Sequence, residues 1–420
     1  MRLRNPDSSS LISALDFDVP LSSKVLNIED KNRSNILTWR GQFSPQLVES
    51  LLAAYCSKGA AVLDPFSGSG TVIFEAAYFG ASISYGVELN PSAWILSRIY
   101  QLTNLSHQEK ELIENSVRLA LFSQFPEPLA LYGDNEIINI DVFKKKVGTI
   151  AARLLPNERI IFDGFIIILD IANHILTPKY IHDTYYKFTA LIQRLPYLQN
   201  PIHTFLSDAR QLPLTSDSID FVLTSPPYIN VFNYHQNYRR SAEMLDWNLL
   251  QVARSEIGSN RANRGNRFLT VIQYCLDMFA VFRELSRTCR KNARIILIVG
   301  YESNVLGVPF YNADILQRIA CETNLFHLIQ RQKREFRNKF GAVIREDLLH
   351  LQPNKLVVNN DALLMSVRNI AFEALVSGVS VVADKNAPLL QEALERIENV
   401  TGIPLFSEPK PSMRIIRSVT

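Results

Sequence analysis

Short apolar runs rich in β-branched residues alternate along the chain with longer segments whose apolar residues recur every three or four positions. The short runs predict buried strands, and the longer segments predict amphipathic helices. The predicted strands occupy residues 60–64, 83–89, 202–206, 219–224 and 293–300. The predicted helices occupy residues 45–55, 70–79, 92–102 and 270–291. This alternation predicts a doubly wound, mostly parallel α/β sheet of the Rossmann-like class. Two later runs, 324–331 and 345–352, are expected to pair antiparallel at its end.

The alternation breaks between the second and third predicted strands. The stretch from 107 to 200 contains helical patterns and is far longer than a plain βαβ unit of about 30 residues, so it predicts a helical insert. An Ala/Leu-rich stretch near the end predicts a C-terminal extension. The predicted organisation is an N-terminal arm, an α/β domain in two pieces, the insert and the extension, at residues 1–35, 36–106 with 201–355, 107–200 and 356–420.

The composition is that of an ordinary globular protein. Hydrophobic residues make up 47% of the chain and charged residues 20%, which excludes a chain dominated by disorder. The formal net charge of +3 permits a polyanionic partner without requiring one. The four cysteines form no CxxC pair and lie at no metal-ligand spacing from a histidine, so we expect neither a metal site nor disulfides. No apolar run resembles a signal peptide or is long enough to span a membrane, so the expected location is the cytoplasm.

The segment AAVLDPFSGSGTVIFEAAYFG (60–80) predicts a strand, a glycine-rich turn and a helix. Gly68 and Gly70 can adopt positive φ and let a ligand approach the backbone at a helix N-terminus. Asp64 ends the first strand with a carboxylate suited to an ammonium group, and Glu88 ends the second with one suited to two ribose hydroxyls. The turn has neither the phosphate-loop pattern nor the full dinucleotide pattern. It therefore predicts a nucleoside ligand with a cationic tail.

The fourth predicted strand ends in TSPPY (224–228). Two consecutive prolines remove two N–H donors and leave carbonyl oxygens, which are acceptors. Such acceptors suit chemistry on the exocyclic amino group of a nucleic-acid base. This amino group is conjugated to the ring and is therefore poorly nucleophilic. Acceptors that bind its N–H bonds draw the nitrogen toward sp3 geometry. Ser225 Oγ and the Pro226 carbonyl are the candidate acceptors, and Tyr228 is the candidate to stack on a base flipped out of its helix.

Together these residues resemble the amino-methylating DNA methyltransferases. DPFSGSG resembles their cofactor motif, VELNP the ribose motif, and SDARQLP, after the third strand, the motif that contacts adenine. The resemblance implies the S-adenosylmethionine-dependent methyltransferase fold and S-adenosylmethionine itself as cofactor. The implied cofactor-binding residues are Asp64, Phe66, Gly68, Gly70, Thr71, Glu88, Asn90, Asp208 and Ala209.

TSPPY matches the catalytic motif of the same family, in which serine is typical of the N4-cytosine branch. The implied catalytic residues are Ser225, Pro226, Pro227 and Tyr228. The stretch TWRGQFSPQLVESLL, just before the first strand, resembles the motif that precedes the cofactor turn. The resemblance covers about residues 36–352.

The stretch that follows TSPPY is rich in arginine, and the piece GSNRANRGNRF predicts a mobile loop. Arginines beside a catalytic motif are suited to contact phosphates and to fill the gap that a flipped base leaves. The candidate DNA-binding residues are Arg239, Arg240, Arg261, Arg264 and Arg267.

These patterns predict a site-specific DNA methyltransferase that acts on N4 of cytosine. Its expected partners are double-stranded DNA with a flipped base and a separately acting restriction endonuclease, at the nucleoid of a bacterium, with no membrane contact. No Pro-Cys dipeptide is present, which argues against methylation at carbon 5 of cytosine. The alternatives are N6-adenine methylation on the same scaffold, an RNA amino-methyltransferase, and a DNA-binding protein on a degenerate scaffold. The insert, the arginine-rich stretch and the extension each stay candidates for reading the DNA sequence.

Overall fold

A seven-stranded sheet forms the centre of the protein, which a computed structural model describes over residues 18–28, 35–37, 39, 41–126, 136–230, 234–337, 341–355 and 360–406. The strands are β1 (Ala61–Asp64), β2 (Ile83–Glu88), β3 (Ile202–Leu206), β4 (Ile219–Thr224), β5 (Cys289–Gly300), β6 (Glu302–Val305), β7 (Val308–Tyr311), β8 (Phe326–Arg337) and β9 (Val343–Pro353). The sheet has the order β3-β2-β1-β4-β5-β9-β8. Its first five strands are parallel, and β9 is antiparallel to both neighbours. Strands β6 and β7 form a separate hairpin.

Helices cover both faces of this sheet. They are α1 (Ser23–Asn27), α2 (Pro45–Tyr55), α3 (Thr71–Phe79), α4 (Pro91–Arg98), α5 (His107–Gln124), α6 (Ile140–Ala151), α7 (Pro156–Ile168), α8 (Pro178–Gln193), α9 (Arg239–Met244), α10 (Leu249–Val252), α11 (Leu269–Thr288), α12 (Asn312–Glu322), α13 (Asn360–Ser377) and α14 (Ala387–Glu395). Alternate residues of β5 face opposite ways, as the two-residue period of a strand requires. Ile296 and Ile298 pack with α2 and α3, whereas Ile295 and Leu297 pack with α11 and α12.

The predicted doubly wound α/β fold is confirmed, including the antiparallel pair of late strands. The helix predicted at 270–291 is too long, because Cys289 already pairs with Ile219 in the sheet. The Thr288 carbonyl accepts the Ser218 N–H at 2.8 Å. The long-range pairing with β4 therefore ends α11 where the local sequence pattern would continue it.

The insert between β2 and β3 contains α5 to α8 and shares a core with α4. Gly164 on α7 permits the closest contact, since a Cβ there would lie 2.8 Å from Ile99 Cδ1 and 3.0 Å from Phe188 Cζ. Phe165 and Tyr185 are fully buried in the same cluster. The insert thus continues the core of the sheet domain on one face.

The C-terminal extension packs on the other face. Helix α13 lies against α11 and α12, and its residues Val367, Ile370 and Leu375 are buried in the core. The basic end of the extension and most of the N-terminal arm lie outside the described residues. In the part of the chain that is described, no helix is long and apolar enough to cross a lipid bilayer.

The site that the sequence predicts lies at the carboxyl ends of the parallel strands. Strand β1 lies between β2 and β4, so the order of the sheet reverses beside it. Open α/β sheets bind ligands in the crevice at such a point.

Candidate active site

The glycine-rich turn joins β1 to α3 at this crevice. Gly68 has φ +51° and Gly70 has φ +92°, which lie in the left-handed region that favours glycine. A Cβ at Gly70 would also come within 2.9 Å of Tyr100 Cδ2. Thr71 is the first residue of α3, and its hydroxyl donates to Asn35 Oδ1 at 2.9 Å. The turn therefore needs both glycines for their positive φ angles, and Gly70 also for the close packing of Tyr100.

Asp64 ends β1 with a carboxyl group that is almost completely buried. Its Oδ1 accepts the Thr224 hydroxyl at 2.6 Å and the Phe66 N–H at 3.1 Å. Burial raises the pKa of Asp64 from its ordinary 3.8 to about 7. A cation bound beside this carboxylate would favour the ionised form and offset the cost of burial. Asp64 is therefore suited to receive an ammonium group.

Glu88 ends β2 and closes the other side of the turn. Its Oε2 accepts the Gly68 N–H and its Oε1 the Asn90 N–H, each at 2.8 Å. Desolvation raises its pKa to about 7. A carboxylate offers about four acceptor positions, so these backbone donors do not fill the group and neighbouring hydroxyls can still donate to it. The Asn90 side chain accepts the Ser92 N–H and caps α4, which fixes the chain after Glu88.

The loop after β3 brings Asp208 and Ala209 to the same edge of the sheet, and both are buried. Among the described residues, the Ala209 N–H has no hydrogen-bond acceptor. The Asp208 carboxylate is bound by Arg210 and by the Phe406 N–H. A free donor and an occupied carboxylate thus lie side by side at the end of β3.

The TSPPY segment leaves β4 next to the turn. Ser225 Oγ and Tyr228 Oη lie 3.2 Å apart, and the Tyr274 hydroxyl donates to the Pro227 carbonyl at 3.0 Å. The Tyr228 ring packs where Gly300 has no side chain, since a Cβ there would lie 2.9 Å from Cε2. In the described structure no donor reaches the Pro226 carbonyl oxygen. This oxygen and Ser225 Oγ are therefore the acceptors that the segment offers.

One hydrogen bond connects the two motifs. Thr224 immediately precedes Ser225, and its hydroxyl is the donor to Asp64 Oδ1. Both residues are buried, at 0% exposure for Thr224 and 2% for Asp64. The acceptors of TSPPY are therefore held at a fixed distance from the residue that begins the glycine turn.

Two side chains from the segment before α2 cover this turn. Trp39 Cδ1 lies 3.5 Å from the position of a Gly68 Cβ, and the Trp39 ring stacks on Tyr238 with centroids 6.0 Å apart. Gln42 Nε2 donates to Ser69 Oγ at 2.8 Å. The segment that precedes the first helix of the sheet domain therefore forms one wall of the crevice.

The five candidate DNA-binding arginines fall into two groups. Arg240, Arg264 and Arg267 are exposed, and they form no ion pair within the described residues. Arg239 pairs with Glu243 at 2.7 Å, and Arg261 donates to His235 Nε2 at 2.9 Å. The first group has guanidinium groups free to meet an anion, whereas the second is held by contacts within the chain.

A family model described as DNA methylase matches residues 20–129 of this chain. The resemblance predicted from the motifs is thereby confirmed. The methylase segment contains the glycine turn, Asp64 and Glu88, and it ends before TSPPY.

Two Type II methyltransferases are similar to this chain, over different lengths. The chain is 26% identical to the Type II methyltransferase M.MjaII of Methanocaldococcus jannaschii over 158 residues, which are 36% of this chain and 28% of that protein. It is 21% identical to the Type II methyltransferase M.BsoBI of Geobacillus stearothermophilus over 432 residues, 74% of this chain and 83% of that protein. The crystal structure of TrmN from Thermus thermophilus aligns with a TM-score of 0.32 and 16% identity, covering 75% of this chain and 50% of that one. The chain thus spans less than a third of the first relative.

Several residues of the candidate site do not follow from the sequence motifs. Trp39 lies in a segment that the resemblance covers, but only the structure shows that its ring covers Gly68. Arg210 stands two positions after Asp208, a spacing that permits the ion pair between them. Asp277 and Phe406, which complete that network, are distant in sequence, and no motif marks them.

Proposed function

We propose that this chain is an S-adenosylmethionine-dependent DNA methyltransferase that transfers a methyl group to N4 of cytosine. The observation that carries the proposal is the 2.6 Å hydrogen bond from Thr224 to Asp64. It holds the Ser225 and Pro226 acceptors beside the turn that would receive a nucleoside with a cationic tail. Two Type II methyltransferases among the relatives support DNA as the substrate and a restriction–modification setting.

The residues present fit this cofactor. Glu88 would accept hydrogen bonds from the ribose hydroxyls, and the Ala209 N–H is free to donate to a ring nitrogen of adenine. Asp64 would hold the ammonium group of the methionine part, beside the turn whose backbone the positive φ angles of Gly68 and Gly70 shape. When bound, S-adenosylmethionine supplies an electrophilic methyl group. The crevice therefore provides a separate contact for each part of the molecule.

The chemistry assigned to this chain is orientation of the amino group. Ser225 Oγ and the Pro226 carbonyl would each accept one N–H bond of the target amino group, which aims its lone pair toward the methyl donor. The Tyr228 ring, fixed against Gly300, would hold the flipped base by stacking. Tyr228 and Ser225 also share a hydrogen bond, so the stacking ring and the acceptor are positioned together. Positioning and electrostatics account for the acceleration without a covalent intermediate.

The cysteines support a mechanism without a protein nucleophile. Cys275 lies on α11 next to Tyr274, whose hydroxyl contacts the catalytic motif. Burial raises the pKa of Cys275 to about 12, so its thiol is protonated at neutral pH.

The direct test is identification of the methylated base. DNA of mixed sequence is incubated with the protein and isotopically labelled S-adenosylmethionine, then digested to nucleosides and analysed by mass spectrometry. We expect labelled N4-methylcytosine. Labelled N6-methyladenine would leave the proposed site standing and change the target base to adenine. Labelled 5-methylcytosine would contradict the mechanism. Methyl transfer to RNA but not to DNA would contradict DNA as the substrate.

A second test concerns the exposed arginines. Replacing Arg240, Arg264 and Arg267 together by Ala should weaken DNA binding for all sequences, because phosphate contacts carry no base information. The slope of log affinity against log salt should fall by up to about 2.7, at roughly 0.9 for each contact. Fluorescence anisotropy over a salt series measures both quantities.

A charge-matched control for this triple variant lies at the opposite edge of the sheet. Lys58, Arg290 and Lys291 are exposed near the amino ends of β1 and β5, and replacing them by Ala removes the same charge. The control should leave the salt slope unchanged. If the two triple variants had equal salt slopes, the effect would come from net charge, and Arg240, Arg264 and Arg267 would not belong to the DNA-binding surface.

A further inference from the structure

The loop that carries Asp208 is tied to the C-terminal extension through Arg210. A guanidinium group has five N–H bonds, and all five are used here. Nε and Nη2 donate to Asp208 at 2.9 and 2.6 Å, and Nη1 donates to Asp277 at 2.8 Å. The remaining two bonds go to the carbonyl oxygens of Ile403 at 2.8 Å and Pro404 at 3.0 Å. Arg210 is therefore fixed by contacts from both the sheet domain and the extension.

The acceptor positions of Asp208 are also filled. A carboxylate offers about four, and three of them receive Arg210, through its backbone N–H at 2.9 Å and two guanidinium bonds. The fourth donor is the backbone N–H of Phe406, 3.1 Å from Asp208 Oδ2. Asp208 is 4% exposed, so these protein donors replace bulk solvent around its carboxylate.

This arrangement conflicts with the adenine contact that the sequence resemblance implies for Asp208. If a nucleoside lies with its ribose on Glu88 and its base at the end of β3, the resemblance implies that its exocyclic amino group donates to the Asp208 carboxylate. One of the four donors must then leave. Arg210 makes five side-chain hydrogen bonds, whereas the Phe406 N–H contributes a single bond from a segment outside any helix or strand. The bond from Phe406 is the one that can be exchanged.

The segment before Phe406 is anchored. Arg368 Nη2 donates to the Val400 carbonyl at 3.1 Å, and the Ile403 N–H donates to Asp277 Oδ1 at 3.1 Å. Gly402 lies so close to Asp277 that a Cβ there would come within 2.8 Å of Oδ1. The exchange therefore needs movement only after Pro404, where the chain has left these contacts.

We propose that residues Leu405 and Phe406 form a latch over the adenine end of the cofactor site, in which the Phe406 N–H occupies the Asp208 oxygen that the adenine amino group takes on binding. The proposal rests on the proposed function, because it assigns the adenine of the cofactor to Asp208. The bond to Phe406 is replaced by one to the same oxygen, so the exchange conserves the number of hydrogen bonds. The latch thus lowers the affinity for the cofactor without blocking it.

The difference between a proline and an alanine at position 406 isolates the backbone donor. In Phe406→Pro the N–H is absent, whereas Phe406→Ala keeps it and loses only the ring. Loss of one hydrogen bond to a charged acceptor should tighten binding of S-adenosylhomocysteine by about 10-fold in the proline variant. The alanine variant should bind as the unaltered protein does. Isothermal titration calorimetry measures the affinity of the two variants and of the unaltered protein for S-adenosylhomocysteine.

A second ligand distinguishes loss of the latch from a general change in the shape of the pocket. The hypoxanthine counterpart of S-adenosylhomocysteine carries a carbonyl oxygen where adenine carries its amino group, so it cannot replace the Phe406 N–H. Its affinity should stay the same in Phe406→Pro, and discrimination between the two ligands should rise about 10-fold. Equal changes for both ligands, or weaker binding of S-adenosylhomocysteine, would overturn the latch and make the segment a fixed wall.

The unaltered protein gives an independent result if the proline variant does not fold. Hydrogen exchange of the Phe406 amide, followed by fragment-level mass spectrometry, should become faster when S-adenosylhomocysteine is bound. Unchanged or slower exchange in the saturated protein would contradict the latch. Failure of the unaltered protein to bind S-adenosylmethionine or its product at all would instead contradict the proposed function, so the two failures are distinct.

Discussion

Replacing Ser225 by Ala is expected to lower kcat by about 10²- to 10³-fold, the usual effect of removing one preorganised hydrogen-bond partner of a transition state. The loss falls on kcat because the acceptor matters most when the amino nitrogen approaches tetrahedral geometry. The affinity for S-adenosylmethionine should stay within about twofold, since Asp64 and Glu88 are untouched. Steady-state methyl transfer and calorimetric titration together separate the two quantities.

Two further variants define what Ser225 contributes. Tyr228→Phe keeps the stacking ring and removes the hydroxyl 3.2 Å from Ser225 Oγ, so it should cost less than Ser225→Ala. Ser225→Asp should keep part of the activity, because a carboxylate also accepts hydrogen bonds. Trapping a covalent complex with DNA that contains a fluorinated cytosine would contradict this account, because such adducts require attack on a ring carbon.

The fold was predictable from the sequence because its central strands β1 and β4 and the second half of β5 are buried on both faces and read as short apolar runs. The boundary between α11 and β5 was not, because residues 289–291 continue a helical pattern and adopt a strand only through pairing with β4. A local pattern reports what a segment prefers alone. It cannot predict pairing with a strand about 70 residues earlier in the chain.

The candidate site shows the same division. Gly68, Asp64 and Ser225 were predictable, because special φ angles and strand-end polar groups leave a local signature. The residues that orient Asp208 were not. The C-terminal segment meets Arg210 only in the folded chain, and a motif read from Asp208 alone predicts a free acceptor where the structure has a filled one.

Replacing Asp64 by Asn should weaken S-adenosylmethionine binding by about 10- to 150-fold at pH 8, the range for losing a charged hydrogen-bond partner. Because burial raises the pKa of Asp64 to about 7, the carboxyl of the unaltered protein is mostly neutral at pH 5.5. The difference between the two proteins should therefore shrink as the pH falls through 7. Asp220→Asn, at the other end of β4, is the control and should bind as the unaltered protein does.

The same substitution should stabilise the protein at high pH. A carboxyl whose pKa is higher in the folded state contributes stability that is complete below its ordinary value of 3.8 and is lost as the pH rises to about 7. The asparagine side chain cannot ionise. The variant therefore lacks the destabilisation that comes from ionising the buried carboxyl, which is at most about 4 kcal/mol at pH 8. Thermal unfolding without cofactor should show Asp64→Asn to be more stable than the unaltered protein at pH 8, and this advantage should diminish at pH 4. A variant equally destabilised at both values would mean that Asp64 serves the fold through its bond to Thr224. A gain in stability with a loss of cofactor affinity is the result expected of a carboxylate kept buried for a cation.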